Sequence, residues 1–187
     1  MKLSSQELQY HQSKVAYYRD EQSYKHLFLY FHPILYRFSF NILQNKSVSE
    51  EIVSDMMLKV WEMGNKLSQI QHLKIFLLTS VKNACFSYLS SKKHQQSLNE
   101  SIDNEDISVF NEDTPEQLYI YSEVTQRVNK MVSSLPTKCQ MVFRLIKEEG
   151  LSYKEVAKVL EISQNTIETH MRIALRKIRM DLQHFLK

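Results

Sequence analysis

Between Leu151 and Arg179 the chain announces two helix starts in close succession, in the run LSYKEVAKVLEISQNTIETHMRIALRKIR. Ser152 carries a hydroxyl suited to an N-cap, and Glu155, three residues on, can reach back to the cap amide. Leu151 can staple against Val156 across that cap. The same grammar returns at Ser163, whose hydroxyl can accept the amides near Asn165 and Thr166, with Ile162 and Ile167 as the second staple. The two caps lie eleven residues apart, so the first helix must stop near Leu160 and a sharp turn must follow. Ala157 is small where two helices would cross closely. Val156, Leu160, Ile167, Met171, Ala174 and Ile178 recur at helical spacing and predict the shared core. The pattern is that of a helix-turn-helix. Glu161 sits in the joint, where a left-handed backbone would cost a non-glycine residue about 1–2 kcal/mol. Either the turn uses right-handed angles or the core offsets the strain.

The residues left outside that core define a candidate surface. Gln164, Asn165, Glu168, Thr169 and Arg172 share the front of the second helix, behind Ser163 and Thr166 in its leading turn. The N-terminal turns of such a helix enter a major groove. Amides and Arg there meet base edges, each good pairing giving about 1–3 kcal/mol of discrimination. Glu168 either accepts from a cytosine amino group or tempers affinity. Arg176, Lys177 and Arg179 extend the charge rearward as phosphate contacts, and Lys154 and Lys158 on the first helix suit the crossing backbone.

Charge supports that reading. Residues 1–96 carry a net +5, residues 97–126 a net −8 and residues 127–187 a net +6. Two basic blocks flank an acidic connector, and basic blocks can lie against phosphates where the connector cannot. No apolar run reaches membrane-spanning length and no apolar signal segment opens the chain, so a cytoplasmic protein without membrane insertion is expected. Cys85 and Cys139 are expected to be free buried thiols. The seven histidines show no zinc-type spacing. Neither a glycine-rich phosphate cradle nor a nucleophile elbow appears. No metal, cofactor or catalytic activity is expected.

Glycine and proline are scarce, and helical periodicity fills most of the remainder. The chain reads as all-α, with two small helical domains (1–96 and 115–187) joined by an irregular, mobile acidic linker (97–114). Residues 1–20 receive no role. Phe28, Phe31, Leu35, Phe38 and Ile42 line one helical face, which Pro33 should kink or restart. A second helix should begin near Ser47, with Ser47 and Glu50 as a capping box, bury Ile52, Val53, Met56, Met57, Val60 and Trp61, and end at a left-handed Gly64. A third should run from Leu73 to Ser90, with Leu77, Val81, Ala84 or Cys85, and Tyr88 on its apolar side. Leu118, Val124, Val128, Met131 and Val132 suggest a further helix, broken at Leu135 and Pro136. The next carries Met141, Val142, Leu145 and Ile146 and stops at Gly150.

The whole arrangement resembles the extracytoplasmic-function (ECF) type of bacterial RNA polymerase sigma factor. The stretch SEEIVSDMMLKVWE looks like the region 2 helix that docks on the polymerase clamp helices. The resemblance makes Glu51, Asp55, Leu58, Lys59 and Glu62 its contacts and Trp61 core. LKIFLLTSVKNACFSYLSSKK looks like the strand-opening, minus-ten-reading part. It implies a pocket for a flipped base near the loop Met63–Gln71, with Asn65 and Lys66 available. Lys82, Lys92 and Lys93 are its phosphate contacts and Asn83 the family asparagine. Phe76 stands where the family has Trp or Tyr, and Ser87 where aspartate is common. Phe76 and Tyr88 read equally as core aromatics, and Asn83 as a packing amide. The C-terminal run resembles region 4, the minus-thirty-five reader that also packs on the polymerase flap tip. The partners implied are core RNA polymerase, promoter DNA and an anti-sigma factor, and the connector is implied to thread toward the RNA path. A stand-alone regulator of LuxR type is the competing reading. It would require a mixed-sheet receiver or ligand domain in the first half.

Overall fold

The computed structural model describes residues 3–98 and 129–185, with side chains at 93–98 and 184–185 outside that description. All the regular structure in these residues is helical. The chain divides into two compact units, Met1–Asn104 and Glu105–Lys187. The connector expected at 97–114 lies outside the described residues, save 97 and 98, which are helical. Leu118, Val124 and Val128 also lie outside them.

In the first unit, α1 spans Ser5–Tyr18. Ser4 and Glu7 close its start as a capping box, with Glu7 N donating to Ser4 Oγ at 3.2 Å and Ser4 N to Glu7 Oε2 at 2.7 Å. The sequence left these residues without a role, yet Gln12, Val15 and Ala16 are buried. Helix α2 spans Glu21–Leu43 from an Asp20 cap and passes through Pro33 without breaking. Leu27, Phe31, Ile34, Leu35 and Phe38 form its buried arc, each fully enclosed apolar side chain contributing about 1.5–3 kcal/mol. Phe28 and Ile42 lie at the margin of that arc, half-buried.

Helix α3 spans Lys46–Glu62. Its cap is Asn45, whose side chain accepts Val48 N at 3.0 Å, rather than the expected Ser47–Glu50 box. Glu50 instead faces His32, Oε1 to Nε2 at 2.9 Å. The helix begins two residues earlier than a Ser47 cap requires, so Ser47 already lies inside it. Val53, Met56, Met57 and Val60 are buried, while Ile52 and Trp61 are only half-buried. Gly64 adopts a positive φ of 54° as expected and leads into a 3-10 segment, Gly64–Gln69, with Leu67 fully buried. Helix α4 spans Leu73–Leu98, running eight residues beyond the expected Ser90. It packs against α2 and α3 through Leu77, Leu78, Val81 and Cys85.

In the second unit, residues 129–133 are helical and the chain breaks at Leu135 and Pro136 as expected. Helix α5 spans Thr137–Lys147 and buries Cys139, Val142 and Leu145. Gly150, at φ 71°, then lets Leu151 N return to Leu145 O at 3.0 Å. Helix α6 spans Tyr153–Leu160 and α7 spans Gln164–Phe185. Eight residues are too few for a helix to persist alone, so α6 depends on its caps and on buried Val156 and Val159. Both cysteines are free and buried.

A Cβ at Gly150 would meet nothing within 4 Å, so the only obstacle to substitution there is its left-handed backbone. Gly150→Ala should therefore cost about 1–2 kcal/mol in denaturant unfolding of the second unit. An unchanged midpoint would show that the turn relaxes freely.

Candidate nucleic-acid interface

The helix-turn-helix forms by the local chemistry read from its sequence. Ser152 Oγ accepts Glu155 N at 3.3 Å, and Glu155 Oε2 accepts Ser152 N at 2.7 Å. Ser163 Oγ accepts Thr166 N at 3.1 Å and lies 2.8 Å from Thr166 Oγ1. Glu161 takes the left-handed conformation, φ 55° and ψ 42°, and its amide returns to Ala157 O. The strained alternative is thus the one realised, and the turn brings Val156, Val159, Ile167, Met171 and Ala174 together out of solvent. Leu160 and Ile178 are half-buried rather than fully enclosed.

On the opposite arc, Ser163, Gln164, Asn165, Glu168, Thr169, Arg172, Arg176 and Arg179 are exposed, as are Lys154 and Lys158 on α6. Thr166 is half-buried, its hydroxyl engaged by Ser163, and Thr169 Oγ1 donates to Asn165 O at 2.9 Å. Lys177 departs from expectation. Its ammonium donates to Ser134 O, closing the carbonyl end of the upstream turn. That is a structural tie rather than an open phosphate contact. His170 is half-buried, with Nδ1 3.5 Å from Cys139 Sγ.

In the first unit, Glu51, Asp55, Leu58, Lys59 and Glu62 are all exposed along one side of α3, opposite its buried arc. Leu58 is 53% exposed, an apolar side chain left in water at the middle of a charged stripe. Trp61, expected in the core, is half-buried. It packs edge-on against Tyr24 at 5.1 Å and lies under the Arg19 guanidinium at 5.6 Å.

Helix α4 shows a second outward stripe. Phe76 and Asn83 are exposed, so neither belongs to the core. Tyr88 is half-buried. Phe86, not singled out in the sequence, is 55% exposed on a neighbouring line of the same helix. The available signal was its position off the Leu77, Val81 and Cys85 arc. Lys92 is exposed, and the side chain of Lys93 lies outside the described residues. Lys82, expected as a phosphate contact, is instead buried. It is 4% exposed and set on the inward arc with Leu78 and Cys85. Asn65 and Lys66 are exposed on the 3-10 segment.

Burial raises the thiols of Cys85 and Cys139 above their ordinary range. The His11 ring stacks on His26, with centroids 4.5 Å apart and planes 6° from parallel, and its Nδ1 lies 3.1 Å from Ser23 Oγ. Burial, then the neighbouring His26, hold its pKa below the ordinary 6.5, against opposing pulls from Glu7 and Asp20.

A helical unit with an exposed charged stripe, followed by a helix-turn-helix unit with an open reading face, defines a DNA-binding transcription protein. Residues 27–95 match the family model "Sigma-70 region 2", and residues 125–178 match "Sigma-70, region 4". The chain belongs to the sigma-70 family of RNA polymerase sigma factors, within its ECF type. It is 20% identical over 172 residues to the ECF RNA polymerase sigma factor SigX of Bacillus subtilis (strain 168), covering 87% of this chain and 85% of that protein. The fold resembles the sigma factor RpoE from Bartonella quintana, solved with the anti-sigma factor NepR. The TM-score is 0.62 at 20% identity, over 87% of this chain and 98% of that one. It also resembles CnrH, solved with the cytosolic domain of CnrY, at a TM-score of 0.53 and 15% identity, over 95% and 98%. As a sigma factor the chain binds core RNA polymerase and promoter DNA and performs no catalysis. The stand-alone regulator is set aside, because the first half matches region 2 and the described residues there form no sheet. Among the described residues no helix is long and apolar enough to cross a membrane.

The His11 shift carries a sign. With the folded pKa depressed, the unfolded chain takes up the proton first, so stability is complete above about pH 6.5 and is lost as pH falls through the folded value. The thermal midpoint of the first unit should therefore drop between about pH 7.5 and about pH 5.5. Circular dichroism should show His11→Phe flattening that drop; an unaltered slope would assign it to other groups.

Proposed function

We propose that the two units divide promoter recognition by surface. The exposed side of α3, with Glu51, Asp55, Leu58, Lys59 and Glu62, docks on the polymerase clamp helices. Leu58 supplies the apolar centre of that contact and the acidic residues its rim and steering field. The 3-10 segment and the outward stripe of α4, with Asn65, Lys66, Phe76, Asn83 and Lys92, meet the unpaired minus-ten strand. There an exposed aromatic offsets the cost of unstacking bases, and lysine tracks the backbone. The leading turns of α7 read the minus-thirty-five duplex. Gln164, Asn165, Glu168 and Arg172 face base edges, while Lys154, Lys158, Arg176 and Arg179 hold phosphates.

The observation that carries this reading is the complementarity of arcs on α7. Ile167, Met171 and Ala174 are sealed in the core, and the alternating polar residues are left open on a helix whose leading end is capped by Ser163. An anti-sigma factor is proposed as the regulatory partner, since RpoE from Bartonella quintana was solved with the anti-sigma factor NepR.

Run-off transcription with core polymerase tests the docking face. Asp55→Lys should lower both promoter-dependent initiation and core affinity by at least about tenfold, the scale of one lost interfacial charge contact. Wild-type initiation by that variant would remove α3 from the interface. Arg172→Ala tests the reading face. It should weaken duplex binding by about 1–3 kcal/mol in a mobility-shift titration while leaving core association intact. Equal loss of both would indicate a folding defect.

A further inference from the structure

Helix α1 lies upstream of residue 27, outside both family matches, yet it grips the segment that follows α3. At one end of that segment the Arg19 guanidinium donates to Trp61 O, and to Glu62 O at 3.4 Å. It also fills the space beside Gly64, where a Cβ would meet Arg19 Nη2 at 3.3 Å. At the other end the buried carboxamide of Gln12 donates to Leu67 O at 2.6 Å and Ile70 O at 2.8 Å. Arg19 thus takes up carbonyls at the end of α3, while Gln12 adds a second donor to Leu67 O, which also accepts Ile70 N at 3.2 Å, and supplies one to Ile70 O.

The grip leaves an open cleft of about 440 Å³ between the two elements. Gln9 and Ser13 line it from α1, and Ser68, Gln71 and His72 from the other side. Gln12 and the aliphatic Ile70 complete the lining, so that carboxamides, hydroxyls and an imidazole stand beside one apolar side chain, with no carboxylate among them. Such groups match the mixed donors and acceptors of a base edge and do not repel a nucleotide. Beside Gln9 and Ser13 on the outer side of α1 stand Tyr10 and Tyr17, 57% and 60% exposed. Lys14 Nζ lies 5.7 Å from the Tyr10 ring centroid. Exposed aromatics interleaved with a cation are the surface on which unpaired bases stack.

We propose that α1 supplies a second wall of the single-strand site. The cleft accepts one unpaired nucleobase, Gln9 and Ser13 read its edge, and Gln12 and Arg19 are positioning residues that hold the facing wall. This rests on the proposed assignment of the 3-10 segment to the minus-ten strand. It adds base-reading residues from a helix outside the matched module.

The test selects binders from a DNA pool carrying a randomised unpaired segment, using the complete chain assembled with core polymerase. Wild type should enrich a defined minus-ten sequence. Gln9→Ala/Ser13→Ala should enrich the same sequence with one position relaxed, its preferred base losing about tenfold in discrimination, at unchanged core affinity. Gln12→Met, which keeps the side chain's length but removes the donor to both carbonyls, should relax that same position. Identical preferences at every position in the double variant would overturn the α1 wall alone. Uniform weakening at all positions, with a lowered thermal midpoint, would also overturn it, as general destabilisation. If wild-type holoenzyme enriches no unpaired sequence, the single-strand assignment of the 3-10 segment fails, and the α1 wall with it.

Discussion

Helices in a chain with only two glycines must still turn sharply, and here the turns fall largely on residues that dislike them. Arg19, Gln44 and Glu161 all adopt positive φ, between 51° and 55°. Each carries a side chain into a conformation that costs about 1–2 kcal/mol. Each also recovers a hydrogen bond, since its amide returns to the helix just ended: Arg19 to Lys14 O and Val15 O, Gln44 to Phe40 O, Glu161 to Ala157 O. These turns fix where α2, α3 and α7 set out, and hence which arc of each meets the core. Arg19 does more than turn the chain, because its side chain crosses to the carbonyls at the end of α3.

Once the arcs are fixed, the working surfaces follow by subtraction. Val53, Met56, Met57 and Val60 are consumed by the core of the first unit, and what α3 has left is a charged line around Leu58. Ile167, Met171 and Ala174 are consumed in the second, and what α7 has left is a row of amides and guanidinium groups. Rigidity in such surfaces matters as well as their area, because the backbone of a well-packed helix gives up little further freedom on binding.

Local chemistry was legible in the sequence. The caps at Ser152 and Ser163, the left-handed glycines at 64 and 150, and the break at Pro136 all depend on residues within a few positions of one another. The inward arc of α7 was legible for the same reason. What escaped depends on distant parts of the chain. Nothing near Gln12 says that a polar side chain will be buried to serve carbonyls 55 and 58 residues away. The Ser4–Glu7 spacing did offer a helix start, but weak apolar periodicity obscured the helix behind it. Lys82 looked like a surface cation because its long stem and charge are typical of exposed positions, yet its place on α4 turns it inward. Lys177 likewise looked free until the fold brought Ser134 beside it. Asn45 displaced Ser47 as a cap because two candidate residues two positions apart cannot be ranked without knowing where the helix begins.

The tie from Lys177 to Ser134 has an implication for how such a protein diversifies. It fastens the rear half of a long helix to the turn ahead of α5, near the cluster of Val132, Leu135, Cys139 and Ala174. The exposed residues of the front turns, ahead of that anchor, can then exchange without loosening the scaffold behind them. On the proposed reading, a new target preference is thus accessible through the few exposed positions Gln164, Asn165, Glu168 and Arg172, while Ile167, Met171 and the rear of the helix stay as a fixed mount.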